Sequence, residues 1–277
     1  MRRPLRHSRS WCAAWCAAWC AACLIAAAAC AHIAPPTTAP AIDTDRPDKT
    51  DGTTTVLRGF TQAEGGYTYS RADGVNEQAI GEALVRIGLS ARSEVRVGLN
   101  SYAVTDDGAV RLQGMQDASF GVKVRLVEDT ERFSLWHPGA AVIATTTVPT
   151  GAAPWRVRTL QPETHLALFW PLTSRLGLTT NINASFPVED GRRYTQGAAS
   201  GSFGYEFSDR LQAFAEWFSL FPASRGGANG HYIDSGVMLA FGENTQLDLR
   251  AGISATRGAG GSFIGAGIAR RWGRLRP

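Results

Sequence analysis

The sequence predicts an all-β protein, a transmembrane up-and-down antiparallel β-barrel of about 12 strands. Three observations predict it. Polar and apolar residues alternate with the two-residue period of a strand, over segments of roughly ten residues. The connections between these segments alternate between short and long. The chain also opens with an export signal, after which no apolar stretch is long enough for a membrane helix.

Residues 1–10 are basic, with Arg2, Arg3, Arg6 and Arg9, and residues 11–31 (WCAAWCAAWCAACLIAAAACA) carry no charge. Pro35 and Pro36 follow, which no helix continues through. Basic start, apolar run and small-residue exit read as a signal peptide over 1–31. An uncleaved anchor and lipidation at Cys30 are the rival readings. All five cysteines lie in this segment, so a processed chain keeps none for zinc, iron–sulfur or thiol chemistry. The WCAA repeat reads as apolar filler. The four arginines account for the whole net charge of +4, and the remainder is neutral. A neutral chain is not a nucleic-acid binder, whatever its overall pI.

Residues 32–58 are rich in Pro, Thr and Asp and lack apolar periodicity. They read as a periplasmic linker. Within them TDRPD (44–48) is a knot of mixed charge that either folds into the barrel mouth and gates it or stays a solvated tether.

The barrel is expected over 59–272, followed by a C-terminal extension, 273–277. Twelve segments alternate: about 59–70, 79–90, 93–103, 115–127, 138–148, 161–170, 174–186, 196–207, 210–221, 231–241, 245–255 and 261–272. Residues 117–126 are the cleanest, with Asp117, Ser119, Gly121, Lys123 and Arg125 on one face and Ala118, Phe120, Val122, Val124 and Leu126 on the other. Tight turns follow the second, sixth, eighth and tenth segments. Longer loops such as RADGVNEQ, VTDDGAVRLQG and VPTGAAPWRVRTL follow the odd ones, and EDTERFSLWH is the exception, a long fourth connection. Short turns at one end and long loops at the other mark a bacterial membrane barrel. A soluble β-sandwich or lipocalin-like barrel also alternates, but with its apolar face inward. Small polar faces, aromatics near strand ends (Tyr67, Tyr69, Phe169, Trp170, Phe186, Phe207, Trp217, Phe218, Phe241, Trp272) and the lack of a disulfide favour the membrane version.

Several stretches resemble one outer-membrane family. They are TDRPDKTDG (44–52), QAEGGYTYSR (62–71), GEALVRIGLSARSEVRVGLNSY (81–102), DASFGVKVRL (117–126), VPTG (148–151), the turns LTSRLGL and FSDRLQAFAEWF, and FIGAGIARRW (263–272). Together they are similar to the MetA-pathway phenol-degradation family, whose members are called transporters. The resemblance spans about residues 43–272. It implies the outer membrane of a Gram-negative bacterium, a transport role, and an assembly machinery that reads the last strand up to Trp272. Residues 273–277 depart from the family by continuing past that aromatic.

In a lipid-embedded barrel, charges belong inside, because Arg or Lys at the lipid midplane costs about 2–4 kcal/mol. Strand phase therefore puts Glu64, Glu82, Arg86, Glu94, Arg96, Asp117, Lys123, Arg125, Glu163, His165, Glu206, Glu216, Asp234, Asp248 and Arg250 in the lumen. They line a solute path or form an ion-pair filling, and these alternatives stay open. The expected function is passage or binding of a small solute, hydrophobic or aromatic in one version. A closed structural or interaction barrel is the alternative. An outer-membrane lipid hydrolase is a third reading. It would need a histidine beside a nucleophile on the lipid-facing wall, whereas His165 phases inward and His137 and His231 fall in connections. The chain reads as a non-enzyme with outer-membrane lipid as partner, no cofactor, no metal and no nucleic acid.

Overall fold

The computed structural model describes residues 40–256 and 261–273. The signal-peptide expectation and residues 274–277 of the extension lie outside them. Among the described residues every regular element is a strand. The strands are β1 (Phe60–Ala72), β2 (Val75–Gly88), β3 (Ser93–Asp106), β4 (Arg111–Met115), β5 (Ser119–Val127), β6 (Gly139–Thr147), β7 (Gln161–Pro171), β8 (Leu176–Ser185), β9 (Val188–Glu189), β10 (Arg192–Arg193), β11 (Gln196–Glu206), β12 (Leu211–Phe221), β13 (Gly230–Ala240), β14 (Thr245–Ser254) and β15 (Gly261–Gly273).

The wall closes because β1 pairs with both β2 and β15, and β2 continues to β3. All pairings are antiparallel. β4 and β5 both pair with β3, so they form one wall strand interrupted at residues 116–118. β9 and β10 make a separate hairpin within a loop. That leaves a closed twelve-stranded barrel whose wall strands pair on both sides, as hydrocarbon requires, except β4, which pairs with β3 alone.

The faces sort as the alternation dictates. Along β14, Leu247, Leu249 and Ile253 are exposed and Asp248 is buried. Leu249 is 57% exposed and Ile182 on β8 is 62% exposed, values that make sense only against lipid. Val124 keeps the outward phase of Phe120 and Leu126 but is covered, at 5%. The aromatics divide. Phe207, Phe241 and Trp272 face out at one rim, while Phe169 lines an interior cavity and Phe218 stacks on Tyr232 at 4.6 Å.

A β-bulge on β2 changes that phase where the lumen needs it. Gly81 (φ 105°) and Glu82 (φ 37°) occupy the shift between Ile80 and Ala83. Ile80 therefore faces out and Glu82, two residues on, faces in.

The turn end of the barrel carries the short connections 89–92, 172–175, 207–210 and 241–244, together with the long 128–138. The loop end carries the rest. The first and third connections correct the expectation of long loops: β1 and β2 run on to a two-residue turn, Asp73-Gly74, with φ of 51° and 84°, and β3 and β4 pair up to the four-residue turn 107–110 within VTDDGAVRLQG. Both positive angles suit a hairpin turn that follows the twist of its strands. At 107–110 the turn is fastened locally. The Val110 and Ala109 amides donate to Asp107 at 2.7 and 2.9 Å and hold its carboxyl below the ordinary range.

In barrels of this architecture the end with the mostly short connections, here the turn end, is expected to face the periplasm. Single cysteines at Asp107, Pro154, Gly191 or Gly227 should therefore react with a membrane-impermeant thiol reagent on intact cells. Cysteines at Asp209 or Asn244 should react only after the outer membrane is permeabilised. Labelling of Asn244 on intact cells would invert the orientation.

Candidate functional site: a charged segment inside the lumen

Residues 40–57 decide the interior. The described part of the expected linker is a loop folded into the barrel from the turn end. It enters where the Ile42 amide donates to the Glu243 carbonyl at 2.8 Å and Arg271 Nη2 donates to the Pro40 carbonyl at 2.6 Å. It turns within the lumen, closed on itself by the Gly52 amide on Asp45 Oδ1 (3.1 Å) and by Thr54 Oγ1 on Asp43. It returns to the turn end, where Thr53 Oγ1 donates to Asp129 at 2.8 Å and the Val56 amide donates to Glu94 at 2.6 Å. Burial pushes the Asp129 carboxyl up, and the Thr53 hydroxyl works against that. TDRPD is thus folded inward and is not a solvated tether.

The wall meets this loop on all sides. Lys123 Nζ donates to Asp45 at 2.9 and 3.1 Å, Arg86 Nη1 lies 3.3 Å from the same carboxylate, and Arg96 also binds it. Arg46 donates to Glu82 (2.6 Å) and Asp248 (3.4 Å). The Lys49 amide and the Thr50 hydroxyl both donate to Glu216, and the Thr50 and Ser200 hydroxyl oxygens lie 2.7 Å apart. Asp51 accepts from Arg96 Nη2 (3.1 Å) and lies 2.6 Å from His165 Nδ1, while its amide donates to Asn181. Arg250 donates to the Pro47 carbonyl at 2.7 Å.

Glycines make room. Gly66 and Gly267 pair across β1 and β15, and a Cβ at either would collide with the Arg46 guanidinium. A Cβ at Gly88 would collide with the Val56 and Leu57 backbone. Gly267→Leu should therefore expel Arg46 and loosen the loop while the wall survives. Trypsin is the measurement. In the detergent-folded wild type the bond after Lys49 should resist cleavage, and in Gly267→Leu it should be cut with the heat-modifiable barrel intact. Equal resistance in both proteins would mean that the glycines are not what admits the loop.

The predicted lumen residues fall into three groups and one pair, Glu163 with His165. Glu64, Arg86, Glu94, Arg96 and Lys123 form a buried cluster on β1, β2, β3 and β5. Arg86 Nε donates to Glu94 at 2.8 Å and its Nη1 to Glu64 at 3.1 Å. Glu82, Glu216, Asp234, Asp248 and Arg250 form a mainly acidic set, with Glu216 and Asp234 opposite each other in register. Glu163 lies 2.9 Å from His165 Nε2. The third group works at the ends. Arg125 donates to the Ala91 carbonyl in a turn (2.9 Å), and Glu206 sits exposed at the end of β11. Asp117 lies in the break between β4 and β5, where its carboxylate accepts the Gly151 and Val157 amides, both at 2.6 Å. It fastens the loop 148–160 and is not free to meet a solute.

Sequence reasoning missed the partners supplied by residues 40–57, and also Gln62 and Asn181, both almost fully buried. It also misplaced His231. That residue lies in β13, paired with Ser219 in the outward phase of Trp217 and Ile233, with Ser219 Oγ 2.6 Å from His231 Nδ1. Ser219 is wholly buried, and among the described residues no carboxylate is in salt-bridge reach of His231. The pair thus lacks the accessible nucleophile and the orienting acid that a hydrolytic triad uses. Among the described residues no group of His, Cys, Asp and Glu could hold a metal ion. A cavity of 880 Å³ opens at the turn end beside the loop, lined in part by Leu57, Phe169, Tyr205, Phe214 and Met238.

The family described as "Putative MetA-pathway of phenol degradation" matches residues 44–272, from TDRPD to the terminal Trp272. The chain belongs to this family. Its match begins within the lumen loop. Among solved structures the chain is similar to the COG4313 outer membrane channel from Pseudomonas putida F1, at 11% identity and a TM-score of 0.61, covering 83% of this chain and 100% of the other. It is also similar to the NanC porin, at 8% identity and a TM-score of 0.52, covering 77% of this chain and 100% of the porin. No curated protein matches. This family member thus has the closed β-barrel fold of outer-membrane channels.

Proposed function

We propose that this barrel passes a small solute across the outer membrane and that residues 43–57 gate it from the periplasmic end. The observation that carries the reading is how the loop is held. It crosses the lumen, yet none of it belongs to the sheet, and side chains fasten it to the wall. Such a loop can leave without breaking the ladder. Eight-stranded barrels are filled by their own side chains and barrels of 16–18 strands are open. A twelve-stranded barrel that spends part of its lumen on a removable loop has a path once the loop is gone. The similar structures are named a channel and a porin, which agrees with this reading. The aromatic and aliphatic part of the turn-end cavity suits a solute with an apolar body. The exposed C-terminal aromatic Trp272 on β15 is the feature that the assembly machinery is proposed to read.

A disulfide tests the gate. Thr50 Oγ1 and Ser200 Oγ are 2.7 Å apart, close enough for cysteines at both positions to approach the S–S distance of about 2.05 Å. Every native cysteine lies in residues 1–30, so the processed background is clean. In a planar bilayer the oxidised Thr50→Cys/Ser200→Cys barrel should stay closed, and the reduced one should show stepwise conductance. Equal conductance in both would remove the loop as gate. Conductance in neither, with the loop also deleted, would favour the closed structural barrel.

A further inference from the structure

We infer that Arg86, Arg96 and Lys123 form a binding subsite for the carboxylate of a small solute, and that Asp45 occupies this subsite while the loop is in place. The inference rests on the gated-passage reading for its purpose, but the site itself stands on geometry.

Three cations from three strands converge on one carboxylate, and that carboxylate belongs to the loop and not to the wall. Lys123 is fully buried, and among the described residues its two hydrogen bonds both go to Asp45. Arg86 and Arg96 also have wall partners, Glu64 and Glu94. With the loop withdrawn, this wall keeps three cations against two carboxylates, and Lys123 loses both its hydrogen bonds, with Glu94 still opposite it across β3 and β5. The vacated site is then short of one negative charge and of the acceptor that Lys123 used, so it favours a replacement anion. Lysine and arginine donors around a small acceptor fit a carboxylate, whose two oxygens Asp45 already uses: Oδ1 and Oδ2 both meet Lys123, and Oδ2 meets both arginines.

The opposite wall sharpens the choice. Arg46, next in sequence, puts its guanidinium between Glu82 and Asp248, and Glu216 and Asp234 extend that acidic face. The loop therefore presents an anion to the basic wall and a cation to the acidic wall. An organic anion entering after the loop has left is drawn to the first and repelled by the second.

Benzoate is the probe, and benzamide is its uncharged analogue of the same shape. Equilibrium dialysis is done on the mature barrel folded in detergent. Asp45→Ala should bind benzoate saturably, at least about tenfold tighter than wild type, because the competing internal carboxylate is gone. Benzamide should not bind in the same range. Lys123→Gln in the Asp45→Ala background should lose the gain. If Asp45→Ala folds poorly, benzoate in the refolding mixture should restore the heat-modifiable form, benzamide should not, and the volume-conserving Asp45→Asn serves as the second binding variant. The subsite is overturned if the Asp45 variants bind benzoate no better than wild type, if benzamide binds equally, if Lys123→Gln changes nothing, or if a poorly folding variant is not rescued. Binding is read without current. A barrel that binds benzoate but never conducts sinks the passage reading alone, and one that conducts but does not bind it sinks only the subsite.

Discussion

Arg86→Met should lower the stability of the folded barrel by about 3–5 kcal/mol, the usual loss when one partner of a buried ion pair is removed. The side chain is 1% exposed, with Nε and Nη2 on Glu94 at 2.8 and 3.1 Å and Nη1 on Glu64 at 3.1 Å. It also donates to the carbonyls of Thr54 (3.2 Å) and Asp43 (3.3 Å), so it joins two wall carboxylates to both arms of the lumen loop. Methionine fills a similar volume without the charge, so the loss reports the network and not a cavity. Reversible urea unfolding in lipid vesicles measures it. Arg86→Met/Glu94→Met should recover part of the loss, because removing both partners of a buried pair costs far less than stranding one. A single variant as stable as wild type would mean that the cluster does not hold the barrel together.

Leu249→Arg should cost about 2–4 kcal/mol if the position lies near the bilayer midplane. Its neighbours Asp248 and Arg250 point into the lumen, where Arg250 reaches the Pro47 carbonyl and Thr68 Oγ1. The same guanidinium is therefore native at one position and misplaced one residue away. A slip of one register position would exchange the two faces, so the comparison tests the register of β14 directly. The readout is the heat-modifiable fraction after refolding into vesicles, with Leu249→Ala as the control for lost apolar area. Val124, outward in phase but covered by its neighbours, is the poorer probe. If Leu249→Arg folds like Leu249→Ala, that face does not meet hydrocarbon.

The strands were legible in the sequence because what makes them is local. A two-residue period sorts side chains to two faces within one segment, and turn residues close a hairpin without reference to the rest of the chain. All twelve expected segments correspond to wall strands, the fourth to β5, while β4 lies mostly in the stretch VTDDGAVRLQG, expected as a loop. The lumen charges were legible for the same reason, since phase alone separates Lys123 from Val122 and Asp248 from Leu249. Where the local rule broke, structure took over. The first loop became a two-residue turn because β1 and β2 keep pairing beyond their apolar alternation, out to Ala72 and Val75. His231, at the edge of the expected segment 231–241, is held in β13 by pairing with Ser219.

By itself the sequence determined a membrane barrel with charges inside, because periodicity and the cost of charge in lipid act residue by residue. Only the tertiary structure decided what those charges meet. Residues 40–58 carry no periodicity, so nothing local distinguishes a tether from a lumen loop. Asp45 and Lys123 are 78 positions apart, and Arg46 and Asp248 are 202 apart. Such pairs form only after the wall has closed and brought its basic and acidic sides around one loop, since a buried charge is stable only where a partner is already positioned to receive it.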